Sequence, residues 1–563
     1  MAIGNQYKRF LNYSHLKISF LEPIFKIKGK LMKTIFINGN IFTVTHGFLE
    51  AMVIEDEKFI YVGNNLVALT YQHGNYKIVD LEDCFVTAGF NDSHMHVLNY
   101  GNTLQMAMLT NHTSSIQEVK RYLKHYINQK QVSEGQWIKA RGWNHDYFED
   151  EKRFLNRYDL DEVSLTHPII ATRACGHVAV CNSKAIELLK LEGLHSIEGG
   201  EIERDENGIL TGVFKENAIE LIKLPLPNVE QIKTMLLTAC QSLNSYGITS
   251  AQTDDFSTFE NYQDIIKAYQ ELEQENRLTV KIYEQVYLPT KQAIDEFLSL
   301  GFNTGSGTEM FRIGPLKLLT DGSLGARTAH LSMPYEDDLM TSGIPIYTLD
   351  QLKEIVSYAN QKDMQIAIHA IGDQAIENVI NAYDYALKVC PKVEHRHGIV
   401  HVQITRKDLL EKIRKLKLYT YIQSIFLDYD INIVHSRLGK RANDTYAFKT
   451  LFETGHASNG SDAPVELPDV LKGIQCAITR KSINGKEQFI LSESLNREEA
   501  IVSFTLKGAY ASFEENIKGS IEVGKKADFV VLDQSPFYVH ASQIKDIQVL
   551  KTYINGKLVY SKK

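Results

Sequence analysis

The 563-residue chain is short of the features that define several large protein classes. Its six cysteines, Cys84, Cys175, Cys181, Cys240, Cys390 and Cys476, make no CxxC pair and no short periodic spacing. That excludes a zinc ribbon and a disulfide scaffold, and it fits a reducing compartment such as the cytoplasm. No window approaches about eighteen uninterrupted apolar residues, so an ordinary membrane-spanning helix is not expected. Basic charge is in deficit: 61 Lys and Arg against 69 Asp and Glu give a net charge of −8, the wrong sign for a protein that mainly grips phosphate backbones. Repeats and low-complexity tracts are missing, and no GxSxG supplies a serine nucleophile. Residues 1–31 are basic, but Glu22 and Pro23 break their apolar run and no small-residue cleavage site follows, which makes a poor signal peptide.

What remains is a globular composition, 44% hydrophobic and 23% charged, with enough chain for a large core. After an N-terminal extension (1–31), short β-branched and aromatic runs, KTIFINGNIFTV, AMVIEDEKFIYVG and KIVDLEDCFVTAG, are bounded by Asn, Gly and Asp. The far end repeats that style in IKGSIEVGKKADFVVLD and VLKTYINGKLVYSKK, with hairpin turns at Gly524-Lys525 and Asn555-Gly556. Residues 32–87 and 503–563 therefore read as one small, sandwich-like β-domain built from both chain ends. Between them, over 88–502, short apolar runs alternate with helical-period stretches, the α/β pattern of a parallel barrel. Eight such runs can be counted: CFVTAGFNDSHMH, ITSAQT, VKIYEQVYL, GPLKLLTDG, QIAIHAIG, HGIVHV, YTYIQS and ASNGSDAP. The interval 97–247 after the first is too long for a single connection, so it is expected to be an inserted subdomain.

Candidate chemistry clusters at the ends of these runs. His94 and His96 lie two apart at a strand end and point the same way, so they can share one metal, although His-x-His alone also fits an ordinary polar strand end. Asp92 offers an acceptor to orient a ligand's second nitrogen. Lys317, His369, His401 and Asp462 fall at the C-terminal ends of four further strands, where barrel enzymes place catalysis. Each has a plain alternative as a snorkelling lysine, a core histidine or a turn aspartate, but six in register across five strands are hard to dismiss.

The motifs GFNDSHMH, RGWNHDYF, RACGHVAVCNSKAI, KLLTDGSLGARTAHL, HAIGDQAI, GIVHVQ, YIQSIF and NGSDAPV, in this order from about Met32 onward, resemble the amidohydrolase superfamily, most closely its YtcJ-like branch, which includes N-substituted formamide deformylases. The resemblance implies a (β/α)8 TIM-type barrel with a composite β-domain. It also implies one or two divalent metals per chain, zinc by the ligand set. His94 and His96 would hold the more buried metal, His369 and His401 the more exposed one, and a carboxylated Lys317 would bridge both. Asp462 would ligate the buried metal and shuttle protons. Three departures stand out: Ala88 where proline is usual, Asn144 where an acidic residue is frequent, and Val400 where a glutamate commonly partners the histidine that follows it.

These roles imply hydrolysis of a non-peptide carbon–nitrogen bond, an N-substituted formamide being one option, by metal-activated water with Asp462 as proton shuttle. The inserted subdomain is expected to close over the barrel mouth. Through it Trp143 would offer a flat wall to the substrate, Arg173 a polar contact and an uncharged His177 a hydrogen bond to the oxyanion. Competing readings are a mononuclear-metal deaminase or hydrolase of the same superfamily, and a metal-site protein that binds a ligand without turnover. The expected partner is a small-molecule amide, with no nucleic acid and no membrane; a homodimer is left open. Because the family-like text starts at Met32-Lys33-Thr34, a chain beginning at Met32 is expected to fold and keep its activity. A large drop in melting temperature on removing residues 1–31 would show instead that this segment is packed.

Overall fold

The computed structural model describes residues 32–194, 197–485 and 487–563. The 1–31 extension, with the expectation attached to it, lies outside the described residues. All eight anticipated runs form strands of one parallel sheet: Phe90–Met95, Ile248–Thr253, Lys281–Tyr287, Phe311–Leu319, Ile366–Ala370, Gly398–His401, Tyr419–Ile422 and Ala457–Asn459, neighbouring one another in that order. The chain is a (β/α)8 barrel. Most strand positions are buried on both faces, as expected for parallel strands covered by helices. The helical-period stretches between the strands include the helices Leu349–Gln361 and Lys407–Leu416. The first starts at a capping box in which Thr348 and Gln351 satisfy each other's N–H groups, and it buries Leu352, Ile355, Val356 and Ala359 along one stripe.

Two smaller sheets flank the barrel in sequence. One is built from Lys33–Ile37, Ala51–Glu55, Lys58–Gly63 and Tyr76–Asp80. In the other, Phe85–Ala88 pairs antiparallel with Phe529–Leu532, so both chain ends share one sheet. Phe36 of the first sheet meets Phe529 and Tyr553 of the second edge-on, with centroids 5.3 and 5.6 Å apart. The buried Lys281 ammonium, 2.6 Å from the Asp528 carboxylate, ties the third barrel strand to the segment that enters this sheet.

The insertion is smaller than 97–247. Residues Asn102–Pro227 form their own compact unit, whereas the helix Val229–Ser245 belongs with the barrel. Its buried stripe packs on the helix Tyr262–Gln274, where Glu271 and Glu275 receive its Lys233 ammonium. Within the 102–227 unit a six-stranded mixed sheet includes Ile138–Trp143 and Ile169–Arg173.

Trp143 corrects an expectation. Alternation would place it on the face of Lys139 and Arg141, but a bulge at Gly142, whose φ is +104°, turns it to the other side. It has no exposed surface, packs against Phe148 and Phe154, and donates its indole N–H to Ala171 O at 3.0 Å. Trp143 is therefore core of this unit and not a substrate wall. Trp143→Ala is expected to destabilise the unit by about 3–5 kcal/mol, read as a lowered denaturation midpoint. Unchanged stability with a raised KM would return Trp143 to the substrate.

Candidate metal centre

Backbone closure between the first and last barrel strands sets the geometry. Asp462 N donates to His94 O and His96 N donates to Ala463 O, each at 2.8 Å. Gly460 permits this approach, because a Cβ there would stand 2.6 Å from His94 N. Asp92 works here and not, as anticipated, on a ring nitrogen. Its buried carboxylate accepts from Ser461 N, Ser461 Oγ and His94 N, and burial pushes its pKa up to about 7. His401, Val402 and Asp462 all hold positive φ, at +80°, +49° and +58°. For non-glycine residues, and for a β-branched valine above all, this is strain of about 1–3 kcal/mol each that the surrounding structure must hold.

Ligand atoms of His94, His96 and Asp462 all lie within 4.8 Å of one another. Lys317 Nζ is 3.3 Å from His94 Nε2, and the His401 ring lies 5.5 Å from that of His94 and 4.5 Å from that of His369, centroid to centroid. The structure thus brings the six residues anticipated from sequence to one end of the barrel.

The tautomers follow from the hydrogen bonds. Gln423 Nε2 donates to Tyr421 O at 2.9 Å, so its Oε1, 2.8 Å from His401 Nδ1, must accept from that nitrogen. Gln285 is fixed in the same way by Ser93 O and accepts from His94 Nδ1 at 3.0 Å. His96 Nδ1 donates to Asp254 O at 2.9 Å. His369 is reversed: Nε2 faces Gly322 O at 3.2 Å and Asp321 Oδ1 at 3.3 Å, and Nδ1 takes no bond from a described residue. In its neutral form each ring would therefore present the other nitrogen as its lone pair, Nε2 in His94, His96 and His401 and Nδ1 in His369.

Asp462 Oδ1 stands 3.1 Å from His96 Nε2 and 3.4 Å from His94 Nε2. Two nitrogen lone pairs facing a carboxylate oxygen repel unless a cation or a proton lies between them. Burial lowers the His96 pKa, but the Asp462 hydrogen bond and charge outweigh it and raise it to about 9. Burial, with the Lys317 charge behind it, pulls His94 down to about 4; burial and His369 hold His401 well below the usual range. Lys317 is likewise lowered by burial. This donor set, imidazole lone pairs with fixed tautomers plus one carboxylate, fits a divalent transition metal.

The remaining sequence candidates lie in the 102–227 unit. Arg173 donates to Asp146 Oδ2 and Asn144 Oδ1, both at 2.7 Å, so its guanidinium is already engaged. His177 is about half exposed, its Nδ1 lying 2.7 Å from Glu216 Oε2. An ionised carboxylate only accepts, so an uncharged His177 carries its proton on Nδ1 and its Nε2 cannot donate. The anticipated oxyanion bond from a neutral ring is corrected on that ground: it requires the imidazolium.

Sequence reasoning missed Gln285, Gln423, Asp254 and Asp321. Gln423 supplies the partner that Val400 had withdrawn from His401. Asp254, Asp321 and Gln423 lie just beyond C-terminal strand ends and Gln285 two residues inside one, near the positions that marked the ligands. Gln423→Leu is expected to weaken metal binding about 10–100-fold, measured by competition with a chromophoric chelator. An unchanged affinity would deny that Gln423 orients His401.

An amidohydrolase family model matches residues 77–560. The Bacillus subtilis protein YtcJ, provisionally named an amidohydrolase, is 31% identical over 94% of this chain and 100% of its own length. The N-substituted formamide deformylase of Arthrobacter pascens is 22% identical over 93% of this chain and 98% of its own. A crystal structure of an uncharacterized metal-dependent hydrolase from Pyrococcus furiosus superposes with a TM-score of 0.75 at 30% identity, covering 90% of this chain and 99% of that one.

Proposed function

The chain belongs to the amidohydrolase family of metal-dependent hydrolases, and on that premise we propose that it hydrolyses the carbon–nitrogen bond of a small non-peptide amide, N-substituted formamides being the first class to try. The observation that carries this reading is the meeting of His94, His96 and Asp462 at the C-terminal end of the barrel, with the His401 and His369 rings next in line and each ring oriented by a hydrogen bond. His94, His96 and Asp462 would hold the deeper metal and His369 with His401 the outer one. A divalent metal, zinc by donor type, supplies charge that lowers the pKa of water and polarises a carbonyl.

The chain's own groups do the rest. Burial pushes the Asp462 pKa up, but the imidazoles of His94 and His96 beside it outweigh that and hold it well below the usual carboxylate range, so the carboxylate is ionised and can accept a proton. Its Oδ1 is committed to the two imidazoles, while Oδ2 takes no bond from a described residue. Oδ2 accepts the proton of the attacking water and returns it to the nitrogen as the C–N bond breaks, giving a carboxylic acid and a neutral amine. Lys317 would serve as a ligand after adding carbon dioxide, which would convert its amine to a carbamate and release one proton. Burial, which favours the neutral amine, assists that step. The cytoplasm is the proposed location, supported by six free cysteines and by the lack of a membrane-spanning helix among the described residues.

A single-metal reading is favoured by one observation: among the described residues, His94, His96 and Asp462 alone converge within 4.8 Å. Metal analysis separates the two: two zinc ions per chain support the bridged centre and one supports the alternative. Asp462→Asn is expected to fold and to lose about 10²–10⁴-fold in kcat, and Lys317→Ala to lose metal and activity together. Near-normal turnover in Asp462→Asn, or full metal content in Lys317→Ala, would contradict the assigned roles.

A further inference from the structure

We propose that Asp430 selects substrates carrying a cationic group, an ammonium or amidinium, beside the scissile amide; this rests on the amidohydrolase reading above. Asp430 ends a helical turn, Leu427–Asp430, in the segment that follows the seventh barrel strand. Two independent links tie it to the metal centre. Phe426, one turn earlier, stacks on the His401 ring with centroids 5.9 Å apart and planes 17° apart. Residues 426 and 430 share a helical face, where side chains stand about 5–6 Å apart. The second link is Gln403, two residues beyond His401, whose Nε2 donates to Asp430 Oδ2 at 3.1 Å.

The carboxylate is only half satisfied. Tyr446 OH donates to the same oxygen, Oδ2, at 2.7 Å, and no described residue donates to Oδ1. Asp430 is largely buried, with 9% of its surface exposed, and its Oδ1 is not among the sealed polar atoms of the described residues. Arg480, stacked on Phe448 at 4.7 Å, makes no ion pair with Asp430, and both its Nη groups take no partner among the described residues. The surroundings are aromatic: Phe489 packs edge-on against both Tyr446 and His435. An anionic oxygen with one open side, in a low-dielectric aromatic setting, attracts a positive charge and repels a negative one. Phe426, Val465 and Ile483 belong to one apolar cluster. With Phe426 against His401, it offers a surface for the methylenes between the amide and the cation.

The test uses metal-loaded protein and two near-isosteric amides, N-(5-aminopentyl)acetamide and N-hexylacetamide, with the matching formamides. Wild type is expected to favour the cationic member by about tenfold or more in kcat/KM, with the difference in KM, and Asp430→Asn is expected to bring the ratio near one at unchanged metal content. A wild-type ratio of one or below overturns the proposal whether or not the variant folds, and so does an Asp430→Asn protein that keeps the preference. If no amide is turned over by protein carrying its full metal complement, the amidohydrolase reading fails, and binding of pentane-1,5-diamine by calorimetry then decides the role of Asp430. Tighter binding to wild type than to Asp430→Asn supports it, and equal or undetectable binding overturns it.

Discussion

Closure of the barrel between its first and last strands is the constraint on which the site depends. Two backbone hydrogen bonds, from Asp462 N to His94 O and from His96 N to Ala463 O, press residues more than 360 positions apart into contact. The fit is tight enough that Gly460 must lack a side chain, and a buried Asp92 carboxylate is spent on holding it. Any register slip there would part Asp462 from both imidazoles, so one pairing supports fold and chemistry together.

The outer shell then converts neighbouring side chains into ligands. A histidine can offer either nitrogen, and what decides is the partner of the other one. Gln285, Gln423 and the Asp254 carbonyl engage Nδ1 of three rings, which assigns Nε2 as the ligand atom, while Gly322 O and Asp321 engage Nε2 of the fourth, which assigns Nδ1. Glutamines suit this work because a second bond, to Ser93 O or Tyr421 O, settles which end of the amide faces the ring. Burial completes the arrangement by favouring neutral imidazoles at His94 and His401.

Much of this was legible in the sequence. The eight barrel strands carry their own signal because parallel strands buried on both faces read as short apolar runs between helical stretches. The six ligand candidates stood out because His, Lys and Asp are uncommon at the ends of such runs. What escaped was information held in the third dimension. Gln285 is 191 residues from His94, and glutamine is too common to mark a site. Trp143 was expected at a junction facing the substrate, but a single bulge at Gly142, which the sequence does not announce, turns it into the core of its unit. The helix Val229–Ser245 was assigned to the insertion because amphipathic periodicity reports a buried stripe but not its partner, and here the partner is the barrel-side helix Tyr262–Gln274.

The central claim, that hydrogen-bonded tautomers shape this barrel end into a cation site, is tested most directly by crystals of zinc-loaded protein and anomalous scattering on either side of the zinc absorption edge. The account predicts density bonded to Nε2 of His94, His96 and His401, to Nδ1 of His369 and to Asp462. Zinc bound elsewhere, through the opposite ring nitrogens, or not at all would contradict it.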